Sequence, residues 1–321
     1  VLPFSLEKQN LKTMKRDGYV YPIYFDPGPP PQLLDSENKL NNEYSWNHSF
    51  VSIWGSHHDP NDGILWDISP NNIGNLNTDY KDLTVSSLKT KFKPIKGGDR
   101  SNGYKINPYT KKPYTKQIVP RGDYTRVIAE FWADGPDSET PPGHWFTILN
   151  YVSYHQLFER RFEGANEIID PLEWDVKAYF LLGGAMHDAA IAAWGLKGYY
   201  DYIRPISAIR FMSSKGQSSD PKLPGYNPFG IKLVDNLIEL VKQGDPLSGR
   251  NGENIGKIKV YSWRGHKFIN DPKKDYAGVG WILAENWFPY QRPTFVTPNF
   301  SGYVSGHSTY SRAAAEVLTL L

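Results

Sequence analysis

Between residues 172 and 194 the chain places Leu172, Val176, Phe180, Gly183, His187, Ile191 and Trp194 three or four apart. That spacing lines one face of a helix and predicts a long, buried one. Gly183, Gly184, Ala185, Ala189 and Ala190 lie along the same stretch. The glycines cost helix propensity, but such small residues let neighbouring helices approach closely. A second amphipathic run ends the sequence, with Tyr310, Ala313, Ala314, Val317, Leu318 and Leu321 on one face and Ser305 or Ser308 as its cap. Further helices are expected from about Tyr124 to Gly135-Pro136, from Trp145 to about Arg161, from Ile206 to Met212, from Ile231 to Val241 and from Trp281 to Trp287. Gly198 is expected to interrupt the long helix, and Pro205 suits the first turn of the next. His187, on the apolar stripe, reads as a core histidine; it or Asp188 could instead orient a nearby site. The fold class that follows is an all-α helical bundle.

Residues 1–120 read differently. They are rich in Pro, Gly, Asn, Asp and Tyr, with Pro-Gly-Pro-Pro-Pro at 27–31 and basic, turn-rich stretches around 93–116. This predicts a loop-rich shell packed on the same domain as a helical core spanning 121–321. His57, His58, Asp59 and Asp62 form a polar knot on that shell. Adjacent histidines point apart and no further ligand follows at helical spacing, so a solvated loop is favoured over a metal site.

A net charge of +2 gives no general attraction to nucleic acid, so an anion site has to be local. The absence of cysteine excludes disulfides, zinc–thiolate sites and thiol catalysis within this chain. No apolar run is long enough for a membrane helix. Asn47-His-Ser and Asn299-Phe-Ser fit the glycosylation triplet, and the chain begins at Val1, which together lean towards a secreted or periplasmic protein. A homo-oligomer stays open.

Two short motifs carry the chemistry. Ser305-Gly306-His307 opens the last helix, where free N–H groups and the helix dipole make a seat for an oxyanion. Lys197 and Arg204, with six residues between them and followed by Pro205, offer an ammonium and a planar guanidinium, two complementary ways of holding phosphate-like oxygens. Alone, the pair reads as surface charge with an ion pair to Asp201.

Lys197-x6-Arg204-Pro205 followed by Ser305-Gly306-His307 resembles the first two motifs of the superfamily joining vanadium-dependent haloperoxidases to type 2 phosphatidate phosphatases and bacterial acid phosphatases. Ala-Glu-Phe-Trp-Ala-Asp-Gly-Pro at 129–136, Pro-Pro-Gly-His-Trp at 141–145 and Gly-Gly-Ala-Met-His-Asp-Ala-Ala at 183–190 are similar to haloperoxidase-type members. The resemblance spans roughly Arg121 to Leu321. It implies an oxyanion held by Lys197, Arg204, Ser305, Gly306 and His307. With vanadate as cofactor, His307 is the covalent ligand, Lys197 polarises bound hydrogen peroxide, and halide is oxidised and passed to an organic acceptor. With phosphate in the same site, His307 is the nucleophile of a soluble phosphomonoesterase. A non-catalytic oxyanion-binding relative is the third possibility. The family's third motif, an Arg-x5-His arrangement, does not occur before Leu321, and its roles are not carried to Arg312; the chain reads as incomplete at its C-terminus. Val304 stands where the family usually has proline.

Overall fold

A computed structural model describes residues 12–23, 26–70, 106–107, 110–135, 138–164, 166–215 and 220–321. Along the chain these form β1 (Lys12–Arg16), β2 (Tyr19–Ile23), α1 (Asn42–Trp54), β3 (Leu65–Asp67), β4 (Ile118–Pro120), α2 (Arg121–Glu130), α3 (Pro141–Ser153), α4 (Pro171–Tyr200), α5 (Pro205–Ser214), β5 (Ile238–Leu240), β6 (Ile258–Trp263), β7 (Val279–Leu283) and α6 (Gly306–Leu320). Helices carry the bundle, but the strands correct the all-α expectation. They pair antiparallel in three small sheets, β1-β2, β3-β4 and β5-β6-β7. The turn-rich reading of 93–105 lies outside the described residues. Among the described residues, no helix is long and apolar enough to cross a membrane.

The chain divides into two compact units that interleave along the sequence. The first holds residues 1–30, 132–204 and 296–321; the second holds 31–131 and 205–295.

In the first unit α4 is the central element. Asp170 caps it by accepting from the Leu172 N–H at 2.8 Å, and Pro171 occupies its first turn. It runs through Gly198 and stops only at Asp201, whose φ of 42° is left-handed and whose N–H donates to the Lys197 carbonyl at 3.1 Å. Its buried face is not the expected one. Trp174, Ala178, Leu182, Met186, Ala189, Ala193 and Leu196 point inward, while Leu172, Val176 and Ile191 are exposed and Phe180 is 75% exposed. Two helical faces here satisfy the same three-or-four spacing, and the one with alanines won because α6 packs closely on it: Tyr310 and Ala314 join Leu149, Trp174, Ala178, Leu182, Met186 and Ala189 in one core. His187 lies on the solvent side, with Nδ1 3.4 Å from Asp188, so it is not a core histidine. The helix expected from Trp145 starts earlier, at Pro141, with Thr140 accepting from the Gly143 N–H at 3.2 Å.

The second unit is built on β5-β6-β7, with Val260 opposite Ile282 and Ile238 opposite Val260. Two expected helices are strands there. In 231–241 a tight turn, with Asn236 at φ 62° and the Ile238 N–H donating to the Val234 carbonyl at 2.7 Å, folds the apolar run back on itself. In 281–287 the run enters β7 and then a single 3₁₀ turn, Ala284–Asn286. Trp263, Ile53, Ile209 and Met212 are fully buried in this unit.

The polar knot on this unit is not a solvated loop. His57 is 2% exposed and His58 6%. His57 stacks on Trp54 with ring centroids 5.5 Å apart, and His58 stacks on Tyr290 at 4.2 Å. Burial drives both imidazoles down, His58 to about 4 and His57 well below the usual range, with nearby Arg126 and Arg121 adding to the effect. Asp62 is engaged by Arg121, whose Nε lies 2.9 Å away. Among the described residues no group of three or more His, Asp or Glu is placed to hold a metal ion.

Candidate functional site

The five expected site residues all belong to the first unit, and α4 and α6 position them. Lys197 sits in the last turn of α4, Arg204 four residues past its end, and Ser305, Gly306 and His307 at the start of α6. Ser305 caps α6, its Oγ accepting from the Ser308 N–H at 3.3 Å.

Two loops meet to bring these ends together, residues 201–204 and 300–304. The Tyr202 N–H donates to Ser301 Oγ at 2.7 Å, and the Gly302 N–H donates to the Tyr202 carbonyl at 2.9 Å. Glycine is required at 302, because a Cβ there would lie 2.8 Å from the Ile203 carbonyl oxygen. The cations are fastened to the same loop. Lys197 Nζ donates to the Ser301 carbonyl at 2.7 Å, and Arg204 Nε donates to the Phe300 carbonyl at 2.5 Å.

An aromatic pair forms the floor. Trp194 and Phe300 have ring centroids 5.3 Å apart; Lys197 Nζ lies 5.0 Å from the Phe300 centroid and Arg204 Cζ 4.9 Å from it. Gly306 backs onto Trp194, where a Cβ would sit 3.0 and 3.2 Å from ring carbons. A glycine therefore lets the α6 N-terminus approach the indole. Lys197 is buried, and this burial, with the positive charge of Arg204, pushes its ammonium down to about 8. Burial also lowers the Arg204 guanidinium.

His307, half-exposed, meets a carboxylate. Its Nε2 is hydrogen-bonded to Asp134 Oδ2. The other oxygen, Asp134 Oδ1, lies 3.6 Å from Nδ1 of His144, which lies 3.5 Å from Glu139 Oε2. Asp134 takes a left-handed backbone, φ 52°, which aspartate tolerates better than most residues. His144 is buried beside the Trp132 ring, 4.7 Å between centroids. Asp134 and His144 had no role in the sequence reading, although both fall in quoted motifs. Their signal was present as Ala-Asp-Gly-Pro and Pro-Pro-Gly-His-Trp, but the 173-residue separation of Asp134 from His307 hid the pairing. Val304 precedes the Ser305 cap without disturbing it.

Lys197, Arg204 and the start of α6 thus meet one aromatic pair, Trp194 and Phe300. An ammonium, a guanidinium, a hydroxyl and a backbone N–H, if brought onto one ligand, suit a multiply charged oxyanion rather than a hard cation. Residues 177–321 match a family model described as the VCPO second helical-bundle domain. Comparison with curated proteins and with solved structures returned no match. Over residues 177–321 the chain is thus related to the vanadium haloperoxidase family.

Proposed function

We propose that the protein is a vanadate-dependent haloperoxidase that oxidises halide with hydrogen peroxide. The observation that carries this reading is the seating of Lys197 and Arg204 over Phe300, beside the Trp194 ring against which Gly306 packs. An ammonium, a guanidinium, a hydroxyl and a backbone N–H are a donor set that fits vanadate, and Gly306 lets the helix N-terminus pack against Trp194 beside the two cations. Bound there, vanadate supplies a Lewis-acidic centre for peroxide chemistry.

In this reading each residue has a separate task. Lys197 and Arg204 neutralise the oxyanion oxygens, Arg204 through the Nη groups that its Nε bond to Phe300 leaves over. Ser305 Oγ and the Gly306 N–H hydrogen-bond a further oxygen. Asp134 accepts a hydrogen bond from His307 Nε2–H and so favours one tautomer, in which Nδ1 would be the nitrogen able to hold vanadate. The His144 imidazole lies beside the other Asp134 oxygen, 3.6 Å away, with Glu139 near the same ring nitrogen. Lys197, easier to deprotonate than an ordinary lysine, would also be the group able to supply a proton at the site.

The test is bromide-plus-peroxide halogenation by phosphate-stripped protein titrated with orthovanadate. Activity should rise with vanadate, saturate at a stoichiometric amount, and vanish in His307→Ala. Hydrolysis of phosphate esters with a trapped phosphohistidine at His307, and no halogenation, would identify a phosphatase instead. Tight binding with neither activity would identify a binding protein.

A further inference from the structure

A second set of contacts ties the N-terminal hairpin to the two loops that build the site. Asp26 is its hub. Its Oδ1 accepts from the Tyr200 hydroxyl at 2.6 Å and from the Gly28 N–H at 2.9 Å, and its other oxygen pairs with Lys12. The Tyr303 hydroxyl then donates to the Gly28 carbonyl at 2.9 Å. These bonds span 174 and 275 residues of sequence, so they hold together segments that the chain itself leaves far apart. The Tyr303 ring meets Tyr200 and Tyr202 edge-on, at centroid distances of 5.6 and 6.2 Å.

The hairpin is seated where α4 is thinnest. A Cβ on Gly198 would lie 3.3 Å from Met14 Cε, and one on Gly195 would lie 3.7 Å from Ile23 Cδ1. Both glycines flank Lys197 on α4. One end of the clamp thus fixes Tyr200, at the start of the 201–204 loop; the other fixes Tyr303, two residues before the Ser305 cap. Lys12 and then Tyr200 hold the Asp26 carboxyl down at about 2, so the clamp stays charged wherever Lys197 titrates.

We propose that Asp26 is a positioning residue for the oxyanion site, setting the spacing between the loop that follows α4 and the loop that leads into α6. This inference rests on the oxyanion reading above. Asp26 touches no oxyanion in it. It acts through Tyr200 and, by way of Gly28, through Tyr303.

The test compares wild type, Asp26→Ala, which removes the acceptor of both bonds, Tyr303→Phe, the double variant and the exposed control Asp17→Asn. Each is titrated calorimetrically with orthovanadate and with inorganic phosphate, and amide exchange is followed at Tyr202 and Gly302. Each single variant should bind about three- to tenfold more weakly, the scale of one lost hydrogen bond. The double variant should be no weaker than the worse single one, because both changes break one chain of contacts. Exchange at the Tyr202 and Gly302 amides should quicken, and Asp17→Asn should match wild type. Unchanged affinity in Asp26→Ala, or fully additive losses, would overturn the clamp. If wild type binds neither anion, the oxyanion reading fails by itself. Amide exchange then still decides the clamp, and unchanged exchange in Asp26→Ala overturns it.

Discussion

Two serine–histidine stretches, Ser56-His57-His58 and Ser305-Gly306-His307, meet opposite environments. The first is buried in the second unit among Trp54, Trp66 and Tyr290, and its imidazoles are kept neutral by that burial. The second opens a helix in the first unit, half-exposed, with a carboxylate on Nε2. The difference shows what turns a polar motif into a site. A buried histidine stacked among aromatic rings serves packing, whereas one hydrogen-bonded to Asp134 at a helix N-terminus presents its ring at the positive end of the helix dipole.

The largest effect should come from forcing charge into the buried stretch. His57→Lys should cost about 3–5 kcal/mol of folding stability, the scale of an uncompensated buried charge. The same change at exposed His187 should stay within about 0.5 kcal/mol. Chemical denaturation of both variants measures the contrast, and equal losses would break it.

Next in size is the anion seat. Arg204→Ala should weaken vanadate or phosphate binding by about 1.5–3 kcal/mol, the worth of a hydrogen bond to a charged group. Calorimetry reads this directly.

The pH dependences of the two regions should have opposite signs. His58 binds its proton less readily folded than unfolded, so its contribution to stability is present above the unfolded value near 6.5 and is lost as pH falls towards about 4. Denaturation midpoints measured across that window should flatten in His58→Gln. Lys197 is charged below about 8, so anion affinity should fall as pH rises through that value. Lys197→Arg, which stays protonated, should remove this part of the fall. Smallest of all, Ser305→Ala should cost about 1 kcal/mol by removing the α6 cap, read as a lowered melting temperature.

These regions also show how far the sequence could be read. Helix α6, its serine cap and its inward Tyr310 and Ala314 were legible because cap and period agree. The existence of α4 was legible but its buried face was not. Leu172, Val176 and Phe180 outweigh Ala178, Ala189 and Ala193 in hydrophobicity, yet close approach of α6 favours the small residues. Strands β5 and β7 were hidden in short apolar runs that suit either period, and were decided by pairing with β6. Lys197, Arg204 and His307 stood out by motif; Asp134, His144 and Asp26 did not, because their partners come from distant parts of the chain. Burial of His57 and His58 was equally invisible, since Trp54 is local but Tyr290 is not.

The most direct measurement is a calorimetric titration of phosphate-free protein with orthovanadate, repeated on Lys197→Ala, Arg204→Ala and His307→Ala. Saturable, stoichiometric binding by wild type that weakens markedly in all three variants is the expected result. Wild type that fails to bind, or variants that bind as tightly as wild type, would contradict an oxyanion site at the start of α6.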